Sequence, residues 1–381
     1  MKKDLQKNKI LLALLSSFSL AISSCGQTKE EVIEDLQDIS LEKEIDLDII
    51  SNNNIFENKE VQEKQMEQQK EIKEPIKKEI TISAVGDCTL GRDDKYKYEN
   101  SLPDVLEQNE HDYSYFFRGV KEVLEDDDLT IANLEGPFTT NEQKRDKKFT
   151  FKGDLDYPNI LLVGSVEAVN LANNHTYDYG EKGYLDTLKA LDEYNVPYFG
   201  YDNYLIEEID DIKIGMAGVL GWTEEEAQKE TKKAITYFKE NDVDLIIMTY
   251  HWGIERKDKQ NSVQENIARY AISEGADLVL GHHPHVLQGI EYYEGKYIVY
   301  SLGNFVFGGN KNPSDKDTMI FQITYSYENN ILKDTSINII PCSLSSVQDK
   351  NDYQPTILEG EEKERVLNKI FKSSTNLEYI D

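Results

Sequence analysis

Short apolar runs broken by polar turns dominate the chain from residue 80 onward, and their spacing predicts alternating strands and helices. Residues 80–85, rich in β-branched side chains, read as a buried strand running into Gly86-Asp87; residues 129–132 read as a second, running into Asn133-Leu134-Glu135. The construction recurs at 168–172 before Asn173-Asn174-His175, at 243–250 before His251, and at 276–280 before Gly281-His282-His283-Pro284-His285. Helical periodicity fills the intervals at 183–194, 224–241 and 260–273, the first stopped by Asn195 and Pro197. Strand, polar turn and helix in this order predict an α/β sheet with its functional groups at the carboxyl ends of the strands. Farther on, 289–293 with 296–301, joined by Glu294-Gly295, and 318–327 with 331–340, joined by Asn329-Asn330, read as two hairpins building a second sheet against the first. Residues 359–372 read as an amphipathic helix.

The pattern before residue 80 is different. Lys2, Lys3, Lys7 and Lys9 precede an apolar stretch at 10–22 that is short for a bilayer span, and Ile22-Ser23-Ser24-Cys25 follows directly. This arrangement resembles a bacterial lipobox, which implies a signal peptide over 1–25 and Cys25 as the lipidated anchor on the extracytoplasmic face of the cell membrane. Residues 26–79 are dominated by Glu, Lys, Gln, Asn and Asp and read as a disordered stalk, with a transient helix near 61–73. The expected organisation is therefore signal peptide, stalk, a folded domain over 80–345, and a C-terminal helix and tail over 346–381.

Composition narrows the partners. With 72 acidic against 42 basic residues the formal charge is -30, which argues against nucleic acid as a partner, since a polyanion is repelled unless a local cationic patch or a bound metal intervenes. Once Cys25 is assigned to an anchor, only Cys88 and Cys342 remain, and nothing in their spacing supports a disulfide; Cys88 reads as a small buried residue. Candidate chemistry lies in the histidines, since five of the six fall at the strand ends described above. A single buried histidine is usually a hydrogen-bonded core residue, but coincidence at several strand ends, with Asp87 at another, points to a metal site.

The ordered motifs Gly86-Asp87-x-x-Leu90-Gly91-Arg92, Asn133-Leu134-Glu135-Gly136-Pro137, Leu171-Ala172-Asn173-Asn174-His175-x-x-Asp178-x-Gly180, His251-Trp252-Gly253-x-Glu255, His283-Pro284-His285 and Ser301-Leu302-Gly303-Asn304-Phe305 resemble the CapA (PgsA) family of capsule-synthesis proteins, from about residue 80 to 342. That family is named for poly-γ-glutamate capsule production and is similar to the calcineurin-type metallophosphoesterases, which implies a four-layer α-β-β-α sandwich. The resemblance implies Asp87, Asn174, His251, His283 and His285 as metal ligands, for two divalent ions of the Mn, Zn or Fe class whose chemistry is to acidify water and polarise an electrophile. It also implies His175 as the general acid, oriented by Asp178.

Two departures from the phosphoesterase pattern stand out. Thr89 occupies the place of the histidine in the first Asp-x-His motif, and only Asn133 or Glu135 can replace the bridging aspartate; Glu135 is the expected ligand. His282 precedes the His-Pro-His motif and is expected either in solvent or behind the ligands. Trp222 and Trp252 are candidate cleft walls, or ordinary core aromatics. For substrate, Arg92 offers a bidentate guanidinium, and Lys147, Lys148 and Lys152 lie in a cationic loop suited to an anionic polymer or a phosphate-containing substrate. The expected function is a lipid-anchored, metal-dependent hydrolase-like protein serving capsule polymer assembly or export, with integral-membrane synthase subunits as partners. The alternatives are a phosphoesterase acting on another extracellular substrate and a non-catalytic scaffold or polymer-binding subunit.

Overall fold

In the computed structural model, residues 75–377 are described; the signal peptide, Cys25, the stalk up to residue 74 and the helix expected at 61–73 lie outside them. The strands are β1 Lys77–Thr89, β2 Arg92–Asp93, β3 Leu129–Leu134, β4 Phe151–Lys152, β5 Ala168–Asn170, β6 Tyr198–Phe199, β7 Leu205–Ile209, β8 Ile212–Gly221, β9 Leu245–Trp252, β10 Leu278–His282, β11 Ile290–Tyr293, β12 Lys296–Val299, β13 Asn304–Phe307, β14 Asp317–Glu328, β15 Ile331–Ser343 and β16 Thr356–Ile357. The helices are α1 Leu102–Gln108, α2 Lys121–Leu124, α3 Pro158–Val163, α4 Gly180–Glu193, α5 Glu224–Glu240, α6 Ser262–Glu274 and α7 Gly360–Ser373.

Local chemistry accounts for the longer helices. Asn261 and Gln264 form a reciprocal capping box at the start of α6, and Gly275 ends it at φ 116°. Thr223 caps α5, whose first turn carries three glutamates against the helix dipole. Strand turns follow the same logic: Asn329 and Asn330 take φ of 53° and 61°, as a two-residue hairpin between β14 and β15 requires. Asp210 and Asp211 do the same between β7 and β8, a hairpin beyond the two predicted from periodicity.

Apart from the small antiparallel pair β2-β4, the strands divide into two mixed sheets flanked by helices. One runs β16-β15-β14-β1-β3-β5-β6, with β13 also on β1; the other runs β11-β12-β10-β9-β8-β7. The two predicted hairpins form, but they do not build a sheet of their own. β14–β15 pairs antiparallel with β1, and β11–β12 pairs parallel with β10, so each hairpin extends a different sheet. The motif-bearing strands are likewise split, with β1, β3 and β5 in one sheet and β9 and β10 in the other. β1 begins at Lys77, before the expected end of the stalk, because residues 77–79 pair with Ser326, Tyr327 and Glu328.

Ile82, Ile131 and Ala168 from the first sheet share one buried cluster with Met216, Ile247 and Leu280 from the second. Each Ile, Leu or Met side chain in it contributes about 1.5–3 kcal/mol on burial. A second cluster joins the first sheet to α1, α3 and α4, and a third joins the second sheet to α5 and α6. α7 adds Val366 and Ile370 to the cluster shared by the sheets, so the C-terminal segment belongs to the same compact unit as the motif-bearing strands.

Register sets the site. In the first sheet Asp87 lies beside Asn133, and Asn133 beside Asn170; in the second, His251 lies beside His282. Gly86 lets β1 approach the 301–304 turn, since a Cβ there would sit 2.2 Å from the Gly303 carbonyl oxygen. The Asp87 amide then donates to that oxygen at 2.9 Å.

Candidate metal centre

Asp87 and Glu135 are fully buried at the ends of β1 and β3. Asp87 Oδ1 accepts from Asn133 Nδ2 at 2.8 Å, and Asp87 Oδ2 lies 3.0 Å from His285 Nδ1. Burial raises the Asp87 pKa, but His282 and His285 more than reverse this and hold it well below the usual carboxylate range. Glu135 has only Thr89 Oγ1, donating to Oε2 at 3.3 Å, while its Oε1 has no hydrogen-bond partner. Burial therefore leaves the Glu135 carboxyl raised despite the nearby His285 charge.

The histidines approach from the second sheet. His251 Nε2 bonds Asn174 Oδ1 at 2.8 Å and stands 3.7 Å from Glu135 Oε1. His285 Nε2 is also 3.7 Å from Glu135 Oε1, and its Nδ1 bonds Asn304 Oδ1 at 3.0 Å. His283, at φ 97°, leaves its Nδ1 buried without a partner. Burial and then the His285 charge push His283 down to about 4; burial likewise, followed by His283, pushes His251 well below its ordinary value. His285 behaves oppositely: burial opposes its charge, but Glu135 and Asp87 outweigh burial and raise it to about 10.

These observations fit a cation. Ligand atoms of Glu135, His283 and His285 lie within 4.8 Å of one another, and a buried carboxylate oxygen and a buried imidazole nitrogen among them are orphaned. His282 is buried rather than in solvent, with Nδ1 3.3 Å from Asp87 Oδ1 but not aligned to bond it. Asn133 is consumed by Asp87, Asn170 and Asn173, which leaves Glu135 as the open carboxylate of its motif. Ligation requires His285 to lose the proton that Glu135 and Asp87 stabilise, whereas His283 and His251 are already neutral. Binding of the ion that His285 ligates is therefore expected to release about one proton from His285 near pH 7.5 and to tighten as pH rises. Calorimetric titration of Mn or Zn in buffers of different ionisation enthalpy measures this; no buffer dependence would place the ion elsewhere.

His175 sits at the edge of the same site. Its Nδ1 bonds Asp178 Oδ2 at 2.6 Å, and its ring packs 4.5 Å from that of Phe151. Asp178 is fully buried and also accepts from the Phe151 amide and from Lys147 Nζ, at 2.8 and 2.6 Å. Lys147 Nζ donates as well to the Asn174 carbonyl, so this lysine braces the site rather than facing a ligand. The other expected substrate cations are also placed differently from a common anion-binding patch. Lys152 pairs with Glu142 at 3.0 Å, and exposed Lys148 lies over the Phe149 ring. Arg92 lines a cleft of about 820 Å³ with His175 and His285, but its guanidinium bonds the Tyr96 carbonyl and Asp94.

Trp222 walls the site, edge-on to His283 and His251, while Trp252 is a core residue stacked on Tyr250. Cys88 and Cys342 are buried free thiols, both pushed up to about 12 by burial, as expected of packing residues. Asn304, Glu255 and Arg256 also line the cleft and were not among the expected site residues. Asn304 was legible as a polar residue at the start of an apolar run.

The family described as "Bacterial capsule synthesis protein PGA_cap" matches residues 81–309, a span that contains every residue of the cluster. The "Capsule biosynthesis protein CapA" of Bacillus anthracis is 30% identical over 314 residues, covering 74% of this chain and 73% of that protein. The "PGA biosynthesis protein CapA" of Bacillus subtilis (strain 168) is 31% identical over 250 residues, covering 60% and 63%. A "Probable polyglutamine synthesis accessory protein" of Mycobacterium tuberculosis is 23% identical over 258 residues, covering 58% and 67%.

Proposed function

The chain belongs to the bacterial capsule synthesis protein family, and from that premise we propose that it serves the assembly or export of an anionic capsule polymer such as poly-γ-glutamate through a metal-dependent, hydrolase-type site. The observation that carries the site is the convergence of Glu135, His283 and His285 with two orphaned ligand atoms among them. Two sheets sharing a buried cluster, with helices on the far sides, support a metallophosphoesterase-like α-β-β-α sandwich. The N-terminal pattern ending at Cys25 supports a lipid anchor on the extracytoplasmic face, where membrane synthase subunits would be partners.

Glu135, His283 and His285 would hold one divalent ion, and Asp87, His251 and Asn174 would complete a pair. Such ions supply Lewis-acid polarisation of an electrophilic carbonyl or phosphoryl group and acidify water. The Asp87 and Glu135 carboxylates keep His285 in place, and Asn174 orients His251. Asp178 holds His175 by Nδ1, which leaves Nε2 as the ring nitrogen able to protonate a leaving group in the cleft.

The test is to incubate the full-length chain, with Mn and then with EDTA, with poly-γ-glutamate and with a chromogenic phosphodiester. The proposal expects polymer shortening or transfer that EDTA abolishes. Phosphodiester turnover with the polymer untouched would favour the phosphoesterase alternative, and polymer binding without any turnover would favour the scaffold; either result overturns the proposal.

A further inference from the structure

The cleft holds cations whose situations differ. Arg92, Lys97, Arg256 and Lys311 all line it. Arg92 is committed to Tyr96, Asp94 and the Tyr98 ring, and Lys311 Nζ is committed to the Lys97 and Glu99 carbonyls. Lys97 and Arg256 are exposed, and neither side chain has an ion-pair, hydrogen-bond or ring partner among the described residues. Arg256 is also held in a left-handed backbone at φ 61°, a conformation that costs a side-chain-bearing residue free energy and needs a compensating reason. Its amide donates at 2.7 Å to the Pro284 carbonyl, between His283 and His285. The strained turn thus fastens a free guanidinium to the backbone that carries two candidate ligands.

The same cleft carries a row of rings. Tyr96, next to Lys97, stacks on Phe149 at 6.4 Å; Phe149 stacks on Phe151 at 6.4 Å and 7°; and Phe151 meets His175 at 4.5 Å. All four residues line the cleft. Ring faces accept methylene groups, whereas free cations accept anions, so the surface suits a chain that alternates the two. In a molecule of charge -30, with Asp93, Glu255 and Asp315 on the cleft lining, an incoming polyanion depends on cations that nothing else has neutralised.

Resting on the anionic-polymer reading above, we propose that Arg256 and Lys97 are the specificity residues of this cleft, gripping carboxylates of an aliphatic polyanion whose methylenes lie over Tyr96 and Phe149, with Phe151 buried behind them. Arg256 holds the carboxylate beside the metal centre, and Lys97 holds one farther along the chain. Lys152, paired with Glu142, takes no part.

The test is fluorescence anisotropy of the full-length, Mn-dialysed chain with a labelled γ-linked glutamate decamer, beside inorganic polyphosphate of similar charge. Arg256→Gly removes the guanidinium and suits a positive φ, so the fold should tolerate it. It is expected to weaken decamer binding about tenfold, with Lys97→Ala weakening it less. Lys152→Ala, which deletes the same charge outside the cleft, should stay within about twofold of the parent. Phe149→Ala should weaken the decamer while leaving polyphosphate unaffected. Decamer binding unchanged in Arg256→Gly, or weakened equally in Lys152→Ala, overturns this assignment and leaves the polymer reading standing. Failure of the parent chain to bind the decamer at all overturns the polymer reading itself.

Discussion

Replacing His283 and His285 together by alanine is expected to strip the full-length chain of transition metal. Purified without chelators, the parent should carry about one to two equivalents of Mn, Zn or Fe by elemental analysis. The double variant should bind at least about a hundredfold more weakly, since even loss of groups behind the ligands costs ten- to a hundredfold. The expectation rests on the three mutually close ligand atoms, of which this variant removes two. Loss of His285 also exposes Asp87 and Glu135 to each other without their cation, so a misfolded variant would lose metal for a trivial reason. The single variant His283→Ala separates the causes. Its imidazole is neutral, pushed down to about 4, and its Nδ1 bonds nothing, so deleting it should cost only its ring packing on Trp222, less thermal stability than the double variant loses, while metal retention falls. A parent that takes up no ion even when supplied with all three would overturn the metal site and leave the scaffold as the better account. Undiminished retention in the variants would place the ion elsewhere.

Asp178→Ala is expected to be the most destabilising single change at the site. The carboxylate is fully buried and accepts from the His175 ring, the Phe151 amide and the Lys147 ammonium. Alanine leaves the amide without an acceptor and the ammonium without its counter-charge, a loss of about 3 kcal/mol at the low end for a broken buried pair. That corresponds to a fall in Tm of about 6–12 °C by calorimetry. Asp178→Asn keeps the shape and part of the hydrogen bonding, so its fall should be smaller. The two donors to Asp178 from residues 147 and 151 tie the 144–152 loop to His175, so the loop should become more protease-sensitive in the alanine variant. An unchanged Tm and unchanged cleavage would show that Lys147 braces nothing.

Much of the site was legible because its signals are local. A β-branched run followed by a polar turn announces a strand end, and each of Asp87, Glu135, His251 and His283 stands at or just beyond one. Asn261 with Gln264, and Asn329 with Asn330, are equally local, since their side chains or positive φ act on neighbouring backbone. The β7–β8 hairpin carries a similar signal in Asp210-Asp211, whose positive φ is the same local turn chemistry. The lysines at 147, 148 and 152 illustrate the limit. A run of cations looks like a single patch in sequence, but Lys147 turns inward to Asp178, Lys152 turns to Glu142, and Lys148 stays over a ring.

The amino-acid sequence by itself determined the elements, the strand-end position of the histidines and the family, because periodicity, turn chemistry and motif order depend on residues close together in the chain. Only the tertiary structure decided that β1, β3 and β5 belong to one sheet and β9 and β10 to the other, so that Glu135 and His285 meet at 3.7 Å from opposite sheets. It also decided which cations are spent and which, like Arg256, are free. Strand pairing and ion pairing join residues far apart in sequence, and their outcome is a competition among all available partners that no local pattern records.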